Sequence, residues 1–275
     1  MAAAVEDAQQ LQEAQAALIV LLLSDLDVLW DRLDEETLDM WIEAAAAVIE
    51  EYAVAMGALA QEMYEAARDD AGVDSEFDLA PIEPPERDQI EAVLRWATSE
   101  MWSGGSPEDA RDNVEAGAEK LVLDTGRQTA ADASVEDPAA QGWARIARPN
   151  ACYFCRMLAT RGGVYSDSDT ALIVGPGRER SGERYHDNCR CLAVPVFEGE
   201  TFQPPGYVRE WTALWKSSTK GKSGKAAINA FRRAIYPEHK GARNARRREL
   251  YPDQKDAINA RRRQRYARRR GTASA

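Results

Sequence analysis

A mainly α fold in three parts is what this 275-residue sequence predicts: an N-terminal helical bundle, a small α+β module gathered around cysteines, and a basic tail of helical repeats. Three observations lead there. Leu38, Ile42, Ala45, Ile49, Tyr52, Met56, Leu59 and Met63 alternate four- and three-residue spacings, the a/d seam of a long helix packed lengthwise on a neighbour. All four cysteines fall between residues 152 and 191. A 15-residue repeat rich in arginine closes the chain. The parts are expected to divide as an acidic helical domain over 1–138, the cysteine module over 139–216, and a basic linker with repeats over 217–275.

Charge follows the same division. The net charge of −11 is the balance of −27 over residues 1–140, +1 over 141–210 and +15 over 211–275. Such segregation gives the two ends different partners, or lets one end hold the other. No stretch suits a membrane, since the longest apolar run, Ala16–Leu23, is far shorter than the ~20 residues a bilayer needs. Met1-Ala-Ala-Ala-Val-Glu-Asp lacks the basic region of a secretory signal. Four cysteines without export imply a reducing compartment, where thiolate metal sites persist.

Residues 5–31 are rich in Ala, Leu, Glu and Gln, hold no Pro or Gly, and read as helix. The seam helix follows, expected to pack within an intramolecular bundle. Pro81, Pro84 and Pro85 mark 71–86 as a loop, and a third helix is expected over about 88–102. Ser106-Pro107-Glu108-Asp109 then supplies an N-cap, a proline at the first helical position and acids in the first turn. It opens a fourth helix over about 107–122. The acidic surface of these helices is either simply solvated, or a docking face for a basic partner or a face shaped to avoid DNA.

From Ala139 the chain turns to short apolar pieces, glycines and turns. Trp143–Ile146, Gly163–Tyr165 and Leu192–Phe197 are expected strands, and 171–184 a loop. This module looks too small and polar to own much core. Glu198–Gly206 leads to a short amphipathic helix, Glu210–Trp215, whose Trp211 and Trp215 are expected to pack against the module. Ser217–Lys225 reads as a flexible basic linker. Its Gly221-Lys222-Ser223 is no phosphate-binding loop, because Lys216 stands where the first glycine is required and no strand precedes it.

The cysteines form Cys152-x-x-Cys155 and, some thirty residues on, His186-x-x-Cys189-x-Cys191. Two thiols three apart grip one metal from a tight turn, and a second pair completes a tetrahedral Zn²⁺ site of Cys₃His or Cys₄ type. Cys152, Cys155, His186 and Cys189 are the favoured set, with Cys191 able to replace either late ligand. A structural zinc clamp is expected over disulfide pairing or a catalytic metal. The chain has two histidines, and with His186 on the metal only His239 is left to act as a base. A small polar module would gain its stability from such a clamp.

These residues also carry a resemblance. Gly126-Arg127, then Asn150-Ala-Cys152-Tyr-Phe-Cys155-Arg-Met-Leu-Ala-Thr-Arg-Gly-Gly, then Tyr185-His186-Asp-Asn-Cys189-Arg190-Cys191, resemble the phage Mu F-like minor head proteins, in the versions found in phages of actinobacteria. The likeness covers about residues 120–197. It implies a minor capsid component, present in few copies near the portal and needed for head assembly. Portal and capsid or scaffold proteins are the implied partners, and the virion, after the host cytoplasm, is the implied location. Some relatives carry the label of capsid maturation protease. Against an enzyme here, Ser166, Ser168 and Ser181 have only the expected ligand His186 as a nearby imidazole. A finger-type metal-dependent nuclease needs at least one catalytic histidine and usually more, and with His186 on the metal the sequence offers no His-Asn-His pattern.

The repeat runs Asn229 to Pro237, Asn244 to Pro252, and Asn259 to Ala267, with Tyr236, Tyr251 and Tyr266 seven residues after each Asn. Asn and Tyr share a helical face, Arg covers the rest, and Pro237 and Pro252 end each short helix. Arg232, Arg233, Arg246, Arg247, Arg248, Arg261, Arg262, Arg263, Arg265, Arg268, Arg269 and Arg270 are the candidate nucleic-acid contacts. Similar repeats occur beside nuclease domains in phage proteins. Packaged DNA is one expected partner of this arm, and acidic protein the other.

Overall fold

The computed structural model describes residues 3–102, 104–161, 190–199 and 202–236. Its longest helix, α2 (Leu38–Asp70), contacts α1 (Ala3–Trp30), α3 (Arg87–Trp102) and α4 (Pro107–Glu136) of the same chain. The expected seam supplies Ile42, Ala45, Ile49 and Met56 to the core, while Leu38, Tyr52, Leu59 and Met63 are only half-buried. Ala46, Ala53, Gly57 and Ala60 are buried as well. Three neighbours around one helix require a wider apolar stripe than a two-helix seam. In α3, Ile90, Leu94 and Ala97 follow the same logic at i, i+4 and i+7.

Helix α4 starts as the sequence predicts. The Ser106 hydroxyl accepts from the backbone N–H groups of Glu108 and Asp109, at 3.1 and 3.3 Å. It ends at Glu136, not near 122. Gly126 and the threonines have weak helix propensity, but this half of the helix is fixed by packing. A Cβ at Gly126 would lie 2.9 Å from Met56 Cγ and 3.1 Å from its carbonyl oxygen, so only glycine permits this approach to α2. Pro138 then forces Asp137 out of helical conformation, to ψ 116°.

Strands β1 (Ala140–Ile146) and β2 (Leu192–Phe197) pair antiparallel, with Ile146 opposite Leu192 and Trp143 opposite Pro195. A two-stranded ribbon is marginal alone. Here all of β2 is buried and Trp143 is 0% exposed. Leu11 of α1, with Leu59 and Met63 of α2, closes over Ile146, Leu192 and Val194. The expectation of a module with little core is therefore corrected: the strands share the core of the bundle. The unbroken apolar run Leu192–Phe197 is what burial on both faces demands. The segments 163–165 and 171–184 lie outside the described residues.

Residues 71–86 have no regular structure, as expected, and are pinned from below. Arg68 pairs with the Asp137 carboxylate, donates to the Ser75 carbonyl and stands 5.4 Å from the Phe77 ring centre. Tyr64 donates to Asp137 at 3.0 Å, and Asp137 also accepts from the Ala139 N–H at 2.9 Å. Burial and then the Asp137 carboxylate push the Tyr64 phenol above its ordinary pKa. One buried carboxylate thus joins α2, the loop, the end of α4 and the approach to β1.

The chain divides into two compact units, Met1–Thr212 and Ala213–Ala275, so the sheet lies in the same unit as the helical bundle. Helix α5 (Tyr153–Ala159) packs on β1, and α6 (Gly206–Ser218) runs longer than the expected 210–215. Helix α7 (Gly224–Ile235) follows after five residues, which narrows the linker expected at 217–225 to residues 219–223. Trp215 and Phe231, edge to face at 5.1 Å, hold the end of α6 to α7. Helix α7 stops just before Pro237, as the repeat predicts. Among the described residues no helix is long and apolar enough to cross a membrane.

Candidate functional site

The first cysteine pair opens α5. Cys152 is the N-cap, in extended conformation, and its Sγ accepts from the Cys155 N–H at 3.5 Å. The expected tight turn is thus the first turn of a helix. That placement suits an anionic sulfur, because the leading N–H groups and the helix dipole favour negative charge there. Cys155 is buried and Cys152 half-buried. The approach to the pair is fixed by Arg156, whose Nε donates to the Ala151 carbonyl at 2.6 Å while its guanidinium lies 5.1 Å from the Trp211 ring centre. Trp211 therefore packs against this region, as expected.

Cys191, 1% exposed, directly precedes β2, and its carbonyl accepts from Arg127 Nε at 2.9 Å. Arg127 is itself 2% exposed and pairs with Asp124 one turn back, at 2.7 Å. Its neighbour on the strand side, Arg190, grips Glu119 with two hydrogen bonds of 2.6 and 2.9 Å. Helix α4 therefore holds the chain leading into β2 through two arginines, one reaching each way. Nearby, Tyr207 donates to the Ala147 carbonyl at 2.9 Å, and burial pushes its phenol above the ordinary range. Arg148 donates to the Gln12 carbonyl at 2.8 Å, and burial and then Arg190 lower its pKa.

Of the five expected metal ligands, Cys152, Cys155 and Cys191 are described, and His186 and Cys189 lie outside the described residues. Among the described residues no three His, Cys, Asp or Glu side chains are grouped to hold a metal. The three described cysteines therefore do not make a centre by themselves. No disulfide joins any two of them. Ser166, Ser168, Ser181 and His239 are also outside the described residues. So are Arg246, Arg247, Arg248, Arg261, Arg262, Arg263, Arg265, Arg268, Arg269 and Arg270, whereas Arg232 and Arg233 are exposed on α7.

Reading the sequence alone missed Glu119, Arg127 and Arg190 as the fastening of the site. Arg127 offered a signal, as the one cation in α4 after Lys120, standing beside a glycine. The pairing of Arg190 with Glu119 offered none.

Comparison with known proteins places these features in context. Residues 2–218 match the model of a family described as VG15 protein. The chain is similar to the Gene 15 protein of Mycobacterium phage D29, 30% identical over 215 residues that cover 59% of this chain and 76% of that protein. It is also similar to the Gene 15 protein of Mycobacterium phage L5, 26% identical over 217 residues that cover 59% of this chain and 74% of that protein. No solved structure matches. The family match takes in the bundle, the sheet and the cysteine cluster, and stops at the end of α6.

Proposed function

The chain belongs to the VG15 protein family, and from that premise we propose that it is a minor capsid protein of a tailed phage, acting in head morphogenesis near the portal. The relatives are phage proteins, which supports the phage setting. One observation carries the finer reading. The segments that resemble Mu F-like minor head proteins are distant in sequence, yet Arg127 of the first donates to the carbonyl of Cys191 in the last. Cys152 and Cys155 of the middle segment open a helix packed on β1, the partner strand of β2. Motif residues bound into one structural unit fit an assembly role. The protein acts through its surfaces, with portal and capsid or scaffold proteins as partners, and not as a protease or nuclease. Mass spectrometry of purified heads of the encoding phage should find it in few copies per particle. Its absence from heads at every stage would overturn the proposal.

Zinc belongs to the same reading. Cys152, Cys155, His186 and Cys189 would hold it, with Cys191 able to replace either late ligand. The metal would supply a closed tetrahedral cross-link and no chemistry. Because β1 and β2 already share the bundle core, the clamp would tie the start of α5 to the chain leading into β2, leaving the strands in place. The basic region after α6 would meet packaged DNA through Arg232, Arg233 and the arginines of the two later repeats.

A further inference from the structure

Residues 213–236 contain Lys216, Lys220, Lys222, Lys225, Arg232 and Arg233, every one of them exposed, and no acidic residue. On α7, Lys225, Asn229, Arg232 and Arg233 stand at i, i+4, i+7 and i+8, one helical face. Ala227, Ala230 and Phe231 occupy the opposite face and are buried. The connection from α6 is tight, with the Thr219 N–H donating to the Trp215 carbonyl at 3.0 Å and the Lys222 N–H to the Thr219 carbonyl at 2.8 Å. Packing of Trp215 on Phe231 completes a helical hairpin that carries these cations.

We propose that this hairpin is a docking platform for the sugar–phosphate backbone of duplex DNA. The proposal rests on the reading that the basic C-terminal region meets DNA. It adds Lys216, Lys220, Lys222 and Lys225, and places the contact on the folded hairpin. Three features select this partner. A protein partner would be met by an apolar or aromatic anchor, and none of the exposed large hydrophobic residues among those described falls within 213–236. A single strand would need aromatic faces for its bases, and the rings of Trp215 and Phe231 are packed on each other. Duplex backbone asks only for cations and hydrogen-bond donors.

The test uses the full-length chain and fluorescence anisotropy with a short mixed-sequence duplex over a range of salt. One variant replaces Lys216, Lys220, Lys222, Lys225, Arg232 and Arg233 with Gln. A second replaces Arg246, Arg247, Arg248, Arg261, Arg262 and Arg263 with Gln. Circular dichroism confirms that helix content is kept. Each phosphate neutralised contributes about −0.9 to the slope of log affinity against log salt, so the hairpin variant should be shallower than wild type by about 3–5. That result supports the proposal whatever the second variant does. A hairpin variant with the wild-type slope overturns the platform, while loss of slope in the second variant alone keeps DNA contact and moves it to the later repeats. A wild-type protein that ignores DNA but binds polyglutamate overturns both readings and makes the hairpin a protein site.

Discussion

Replacing Asp137 with alanine should lower the free energy of unfolding by about 3–5 kcal/mol, because a buried guanidinium is left without its carboxylate. The Asp137 side chain is 0% exposed and that of Arg68 is 9%, so water cannot take the place of the lost partner. Tyr64 and the Ala139 N–H lose an acceptor in the same step. At this size the loss should lower the Tm by roughly 10 °C. Asp137→Asn keeps one acceptor oxygen and should cost less than Asp137→Ala. Hydrogen exchange should quicken first in residues 71–80, which Arg68 holds through Ser75 and Phe77. A change below about 1 kcal/mol, within the ordinary scatter of surface substitutions, would show that the cluster does not anchor this loop.

Arg127→Met should be nearly as severe, at about 3 kcal/mol, since it strands the buried Cys191 carbonyl and removes a charge-assisted hydrogen bond. Methionine fills much of the vacated volume, so the loss reports the polar contact more than a cavity. The effect should be local in a telling way. Amide exchange should rise at residues 190–194, while α2 and α3 keep their protection. Uniform loss across the bundle would mean that Arg127 serves the general core and not the entry to β2. Arg127→Lys should recover little, because an ammonium cannot reproduce the fixed direction of Nε and the second bond to Asp124.

What the sequence made legible was local. The Ser106-Pro107 start of α4 is written within one turn and was found in place, and the 4–3 spacing of the Leu38–Met63 seam put Ile42, Ala45, Ile49 and Met56 in the core with its other members half-buried. The bounds of β2 were also readable, because an apolar run between polar neighbours has little else to become. The second half of α4 was not, since Gly126 and its neighbours look like a helix end until Met56 is seen beside them. Helix α5 was hidden for a different reason. Seven residues carry too little periodicity, and cysteine is not a usual N-cap. The fastening of the site lay furthest from view. Arg127 meets Cys191 across 64 residues, and Glu119 meets Arg190 across 71. No spacing rule reaches that far, and only the fold brings these charges together.

Zinc content, measured by elemental analysis on full-length protein made under reducing conditions, tests the proposed clamp most directly. One equivalent per chain is expected, and Cys152→Ser or Cys155→Ser should abolish it while leaving the helix content of the bundle intact. Cys189→Ser and Cys191→Ser should differ, with the milder substitution marking the sulfur that is not a ligand. Protein that folds with no zinc under these conditions, or that keeps its zinc in Cys152→Ser and Cys155→Ser, would contradict a metal clamp at this site.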